Sequence, residues 1–130
     1  MNRYPKLFAP GKIANLTIKN RIVMTAMGVC LSGSDGQASP EIIRYYEARA
    51  KGGVGMIITE ITCIDETEGR GMPHQLCATD MKHIEAFQQL TDTIHSYGTK
   101  IFLQLHHPGK EGMPQLTGGR PLVAPSAIPN

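Results

Sequence analysis

The apolar positions of this 130-residue chain fall into short unbroken runs and longer stretches of helical period. Ile22 to Met27 is apolar without alternation until Thr25, as expected of a strand buried on both faces in a parallel sheet. Val54 to Ile61 is a second such run, rich in β-branched residues, and Lys100 to Leu105 a third. Between the first two, Ser39, Pro40 and Glu41 form a helix start: an N-cap serine, a proline in the first turn and an acid near the helix dipole's positive end. Gly52 and Gly53 stop that helix, and Ile43, Tyr46 and Ala50 share its apolar face. Between the second and third runs, Asp80 caps a helix with the stripe Ile84, Phe87, Leu90 and Ile94, ended by Gly98.

Residues 7–19 hold short apolar pairs around Asn15, predicting a small hairpin or an extended segment with a turn at Ala14 and Asn15, a lid or plug and not a core strand. The segments 28–38 and 65–75 are polar and glycine-containing loops at strand C-terminal ends, and a Pro/Gly-rich tail runs from Pro108 to Asn130. Strand, helix, strand, helix, strand predicts an α/β parallel sheet. Neither GxGxxG nor GxxxxGK[ST] occurs, which disfavours a nucleotide-binding open sheet. In a (β/α)8 TIM barrel, functional groups sit at strand C-terminal ends, where Thr25 to Gly28, Thr59 to Ile61, and Gln104 with His106 and His107 fall. A whole barrel takes about 250 residues in eight units. The expectation is therefore the N-terminal portion of one, about three strands and two helices, occupying residues 1–130 as an incomplete domain.

With 13 Lys+Arg against 11 Asp+Glu, the net charge is +2, and no basic run gives nucleic acid or an anionic membrane a footing. No apolar run reaches the roughly 18 residues of a membrane span, and the first residues lack the apolar core of a secretory signal, so the expected location is cytoplasmic. Cys30, Cys63 and Cys77, separated by 33 and 14 residues, match neither a CxxC pair nor a metal-site spacing and read as free buried thiols. His106 and His107 are strand neighbours that point to opposite faces, which argues against a shared metal.

The segments LFAPGKIANLTIKNRIVMTAM, YYEARAKGGVGMIITE, Gly69 and Arg70, HSYGTKIFLQLHHPGK and VAPSAI carry a family likeness across essentially the whole chain. It resembles the N-terminal part of the Old Yellow Enzyme family of FMN-dependent ene-reductases. The nearest branch holds the larger members similar to 2,4-dienoyl-CoA reductase, trimethylamine dehydrogenase and the bile-acid-inducible NADH:flavin oxidoreductases. The resemblance implies an FMN over the mouth of a TIM barrel, reduced by NADH or NADPH, passing hydride to the activated C=C bond of an enone or an enoyl or dienoyl thioester. By position, Thr25, Ala26, Met27 and Gly28 would meet the flavin edge and face, Ile61 would lie under or beside it, and Gln104 would hold its pyrimidine end. One carboxamide offers both donors and an acceptor, which suits an edge of alternating N–H and C=O groups.

The chain departs from the family where Ala26 replaces a common Pro, Gly28 a Cys or Thr, and Lys110 an Arg. The family's catalytic pair and proton-donating tyrosine belong to later strands, so no catalytic residue is assigned within these 130 residues. Iron-sulfur and FAD groups belong only to a longer native chain. The implied partners are a small-molecule enone or acyl-CoA substrate and either the remainder of the barrel or a homo-oligomer; the alternative is a truncated, non-catalytic flavin-binding or interaction module. Read without the resemblance, Gln104 is a strand-end polar group bonding a neighbouring backbone, Glu60 a carboxylate paired with Arg49 or Arg70, and Tyr45 and Tyr46 helix residues packed on the sheet. The resemblance, through the family's QL-x-H-x-G pattern, implies that His107 is a structural histidine near the flavin mouth.

Overall fold

A computed structural model describes residues 3–126; residues 127–130, the first two of which end the VAPSAI stretch, and residues 1 and 2 lie outside it. A short helix α1 (Pro5–Phe8) precedes the antiparallel hairpin β1 (Gly11–Ile13) and β2 (Leu16–Ile18), whose turn places Ala14 at φ 49°. The predicted hairpin is thus present. Ile18 is buried, and Lys19 Nζ donates to the carbonyl of Tyr97 at 2.6 Å, so the hairpin is tied to the end of the second long helix.

The main sheet is parallel. Strand β4 (Met56–Cys63) lies at its centre, flanked on one edge by β3 (Val23–Met24) and on the other by β6 (Lys100–His106). A two-residue strand β5 (Leu76–Cys77) pairs with Thr62 and Cys63, both of which also pair with β6. It therefore continues the edge that β3 leaves. Helices α2 (Pro40–Lys51) and α3 (Lys82–His95) cover the sheet around a core of Ile42, Tyr46, Ile57, Leu76, Leu90 and Ile94, each fully buried.

Helix α2 begins as predicted. Ser39 Oγ accepts from Ile42 N at 3.2 Å and donates to the carbonyl of Leu31, which also ties down the preceding loop. Gly53, at φ 96°, turns the chain back toward β4.

Four expectations are corrected. Strand one is Val23–Met24 and not Ile22–Met27, because the chain diverges from β4 after Met24 and the backbone of Ala26, Met27 and Gly28 has no hydrogen-bond partner among the described residues. Strand β5 lies at the end of a segment read as loop, since two residues leave no periodic signal. The buried stripe of α3 is His83, Leu90 and Ile94, with Phe87 partly buried and Ile84 52% exposed. Steps of 4, 3 and 4 follow the 3.6-residue period more closely than steps of 3, 3 and 4. Finally, Asp80 Oδ1 accepts from Lys82 N at 3.0 Å, but Met81 holds the cap position in helical geometry.

The register of β4 against β6 carries an irregularity that shapes everything at this end of the sheet. Ile58 faces Phe102 and Ile61 faces Gln104, so three steps on β4 match two on β6. One extra residue is inserted, a bulge. It puts Ile58 and Ile61 on one face and leaves the backbone at Thr59 and Glu60 out of the regular ladder. Side chains fill the gap: Tyr46 Oη accepts from Glu60 N at 2.7 Å, and Thr59 Oγ1 accepts from Gln104 N at 3.3 Å.

Candidate functional site at the strand ends

The six residues singled out from the sequence lie at the C-terminal ends of three neighbouring parallel strands. Thr25 to Gly28 follow β3, Ile61 is near the end of β4, and Gln104 is its register partner on β6. The sheet brings Ile61 and Gln104 side by side, and register partners in parallel strands project from the same face. Gln104 also lines a hollow of about 390 Å³ with Ile13, Met56, Ile58, Phe102 and Leu103; Thr25 to Gly28 and Ile61 do not line it. Its carboxamide is solvent-exposed and has no hydrogen-bond partner among the described residues.

Residues 26–28 present three consecutive unpaired peptide units. In a packed protein nearly every backbone donor and acceptor is paired within the chain or meets water. Here they stand beside Met27, 58% exposed, and Gly28, where a Cβ would come within 2.6 Å of Met72 Cε. The segment is an accessible row of backbone donors and acceptors that no other described residue uses.

Two loops are laced together behind this row. Ser32 Oγ donates to the carbonyl of His74 at 2.6 Å, the His74 ring contacts the carbonyl of Ser32 at 3.2 Å, and Cys77 N donates to the carbonyl of Gly36 at 2.9 Å. His83, buried on α3, contacts the carbonyl of Asp35 through Nε2 at 3.2 Å. Cys30 and His74 adopt φ of 54° and 50°. Non-glycine residues in that region persist where surrounding contacts over-determine them.

Glu60 is not paired with an arginine. It is fully buried, and its carboxylate accepts Val29 N at 2.6 Å and Cys30 N at 3.0 Å through Oε2, and Leu76 N at 3.3 Å through Oε1. Arg49 stacks on Tyr45 with 3.6 Å to the ring centroid, and Arg70 donates to Cys77 Sγ at 3.3 Å. Sequence reasoning missed this role because nothing in the pattern marks the bulge that turns Glu60 inward. Cys30, next to this carboxylate, has its thiol pushed up by burial and then by the Glu60 charge.

Cys63 and Cys77 are register partners on β4 and β5, and both are buried as free thiols. Cys63 Sγ donates to the carbonyl of Asp65 at 3.1 Å; the adjacent Cys63 thiol and the Arg70 guanidinium hold Cys77 below the ordinary thiol range, while the neighbouring Cys77 sulfur and burial push Cys63 up. A depressed folded-state pKa adds stability above the unfolded value that is lost as pH falls, and a raised one adds stability below that value that is lost as pH rises. Both shifts place the pair's maximal contribution near an ordinary thiol pKa of about 8.5. Urea unfolding across pH should show stability rising from pH ~6.5 toward ~8.5, a rise that Cys77→Ser flattens; an identical rise in that variant would assign the dependence elsewhere.

His107 Nδ1 accepts from Gly109 N at 3.1 Å, and its ring sits where a Cβ on Gly69 would come within 2.9 Å, so it packs two loops together. The His106 ring is pushed toward its neutral form by burial and then by His107. No group of three or more His, Cys, Asp or Glu among the described residues is placed to hold a metal ion. No helix among them is long and apolar enough to cross a membrane.

Comparison with known proteins decides the kinship. The sequence profile of the NADH:flavin oxidoreductase / NADH oxidase family matches residues 6–128. The chain belongs to this family. It is 46% identical over 129 residues to an NADH oxidase of Thermoanaerobacter brockii, a match covering 99% of the chain and 20% of that protein. It is 37% identical to a cinnamate reductase of Clostridium sporogenes, covering 99% of the chain and 20% of the relative. The old yellow enzyme homologue from Zymomonas mobilis superposes with a TM-score of 0.87 at 33% identity, over 95% of this chain and 34% of that one. The chain thus spans about a fifth of the length of those two curated relatives. Its fold is that of the N-terminal part of the Old Yellow Enzyme barrel, as the strand order predicts.

Proposed function

We propose that this chain forms the first wall of an FMN site in an NAD(P)H-dependent oxidoreductase that reduces the activated C=C bond of an enone or an enoyl or dienoyl thioester. The observation that carries the reading is the pairing of two unused hydrogen-bonding surfaces at the strand ends. One is the backbone of Ala26, Met27 and Gly28; the other is the Gln104 carboxamide, with Ile61 as its neighbour. Both fit a flat heteroaromatic ring with a polar edge. Gln104 would hold the pyrimidine end, Thr25 to Gly28 the edge and face, and Ile61 would supply an apolar contact. The small side chains at 26 and 28 permit close approach.

FMN held here would supply a two-electron carrier between NAD(P)H and the activated alkene. This chain's residues bind and orient; proton donation to the product belongs to residues outside it. Phe102, 44% exposed, shares its face of β6 with Gln104, and Leu105, 64% exposed, lies on the opposite face; the next strand of the barrel would pair along the edge of β6 away from β4. The working location is the cytoplasm.

The test is Gln104→Leu in the native full-length protein, with FMN affinity measured by fluorescence titration. Losing two or three hydrogen bonds of about 1 kcal/mol each should raise Kd by about 30- to 150-fold. Unfolding of the apoprotein should be unchanged, since the carboxamide has no partner among the described residues. Unaltered FMN affinity would remove Gln104 from the site.

A further inference from the structure

The extra residue in β4 turns Glu60 toward the gap between the end of β3 and the start of β5. An ionised carboxylate is an acceptor only, and here every group it meets is a donor: Val29 N and Cys30 N on one oxygen, Leu76 N on the other. Val29 directly follows Gly28, Cys30 is held at φ 54°, and Leu76 opens β5. One buried side chain thus replaces the missing strand pairing and splices the segment after β3 to β5. Charge-assisted bonds of this kind are about twice as strong as neutral ones.

We propose that Glu60 is the positioning residue of the flavin site. It acts through the backbone: by anchoring Val29 and Cys30 it sets the course of Ala26 to Gly28, whose own peptide groups have no partner among the described residues. It also places a fixed negative charge one residue from Ile61 and one from the 26–28 row. A negative charge near a flavin opposes the addition of electrons, so Glu60 would hold down the potential of a flavin bound at this site. The inference rests on the flavin reading of the site, and its test separates the two.

Glutamine at position 60 keeps one acceptor oxygen but turns an NH2 group onto an amide N–H, so one side of the splice is lost and the charge is removed. In the native full-length protein, Glu60→Gln should raise the Kd for FMN tenfold or more and shift the midpoint potential of the bound flavin to a more positive value. Tyr46→Phe serves as the structural control. It removes the acceptor for Glu60 N while leaving the carboxylate in place, and it should lower stability without moving the potential. Should Glu60→Gln fail to fold, Glu60→Asp retains the charge on a shorter arm and should weaken FMN binding with a smaller change in potential. Wild-type protein that binds no FMN would overturn the flavin reading and this inference with it. Wild-type protein that binds FMN, with Glu60→Gln matching it in affinity and potential, or Glu60→Asp matching its affinity, would overturn the role of Glu60 alone.

Discussion

Tyr46→Ala is expected to lower stability by about 4 kcal/mol or more, close to the whole margin of many domains. Two losses combine. The ring is fully buried in the core between α2 and the sheet, and truncating a buried aromatic to alanine costs about 3–5 kcal/mol. In addition, Tyr46 Oη accepts from Glu60 N, an amide that the β4 bulge leaves without a strand partner, and an orphaned buried amide costs about 1–3 kcal/mol. Tyr46→Phe isolates the second loss and should cost about 1–2 kcal/mol. Denaturant titration with the slope held constant measures both. Equal stability of Tyr46→Phe and wild type would mean that the hydroxyl does not serve the bulge.

Gly55→Ala should cost about 3 kcal/mol, through close approach and not through backbone dihedrals. A Cβ at position 55 would lie 2.5 Å from the carbonyl oxygen of Asn20 and 2.6 Å from its Oδ1. Neither atom is free to move. Asn20 is buried, its Nδ2 donates to the carbonyl of Gly53 at 2.7 Å, and its Oδ1 accepts from Ile22 N at 3.1 Å. Gly55 itself donates to the carbonyl of Ile22 and accepts from Lys100 N, so three chain segments meet at one residue. Thermal unfolding should show the loss, and a melting temperature within a degree or so of wild type would contradict this packing. Gly98→Ala is the contrasting case: the nearest atom to its Cβ is Lys19 Cδ at 3.9 Å, so only its φ of 67° resists the change.

The parts of this structure that follow period and capping were legible in the sequence. Ser39 and Pro40 start α2, the apolar run around Ile57 forms the central strand, and the turn at Ala14 and Asn15 joins the hairpin, because each depends on residues close together in the chain. The placement of the six candidate residues at the strand ends follows from the same order. What escaped depends on tertiary contacts. The bulge at Thr59 and Glu60 arises only when β4 meets β6, and the course of the chain after β3 only where Glu60 takes the amides of Val29 and Cys30. His83 replaces Ile84 in the core because its ring bonds both Asp80 N and the carbonyl of Asp35, and the latter lies 48 residues away. A pairing of Glu60 with arginine is a reasonable expectation for a strand-end carboxylate, and the backbone supplied its donors instead.

The central claim is that the strand ends of this chain help to hold a flavin that takes electrons from a reduced nicotinamide. The most direct measurement is the visible absorption spectrum of the native full-length protein, reconstituted with FMN and gel-filtered, then titrated under anaerobic conditions with NADH or NADPH and finally with an α,β-unsaturated carbonyl compound. The account predicts flavin retained at one per chain, bleached by one of the two nicotinamides and restored by the alkene. Protein that emerges without flavin, or whose bound flavin stays oxidised with both nicotinamides, would contradict it.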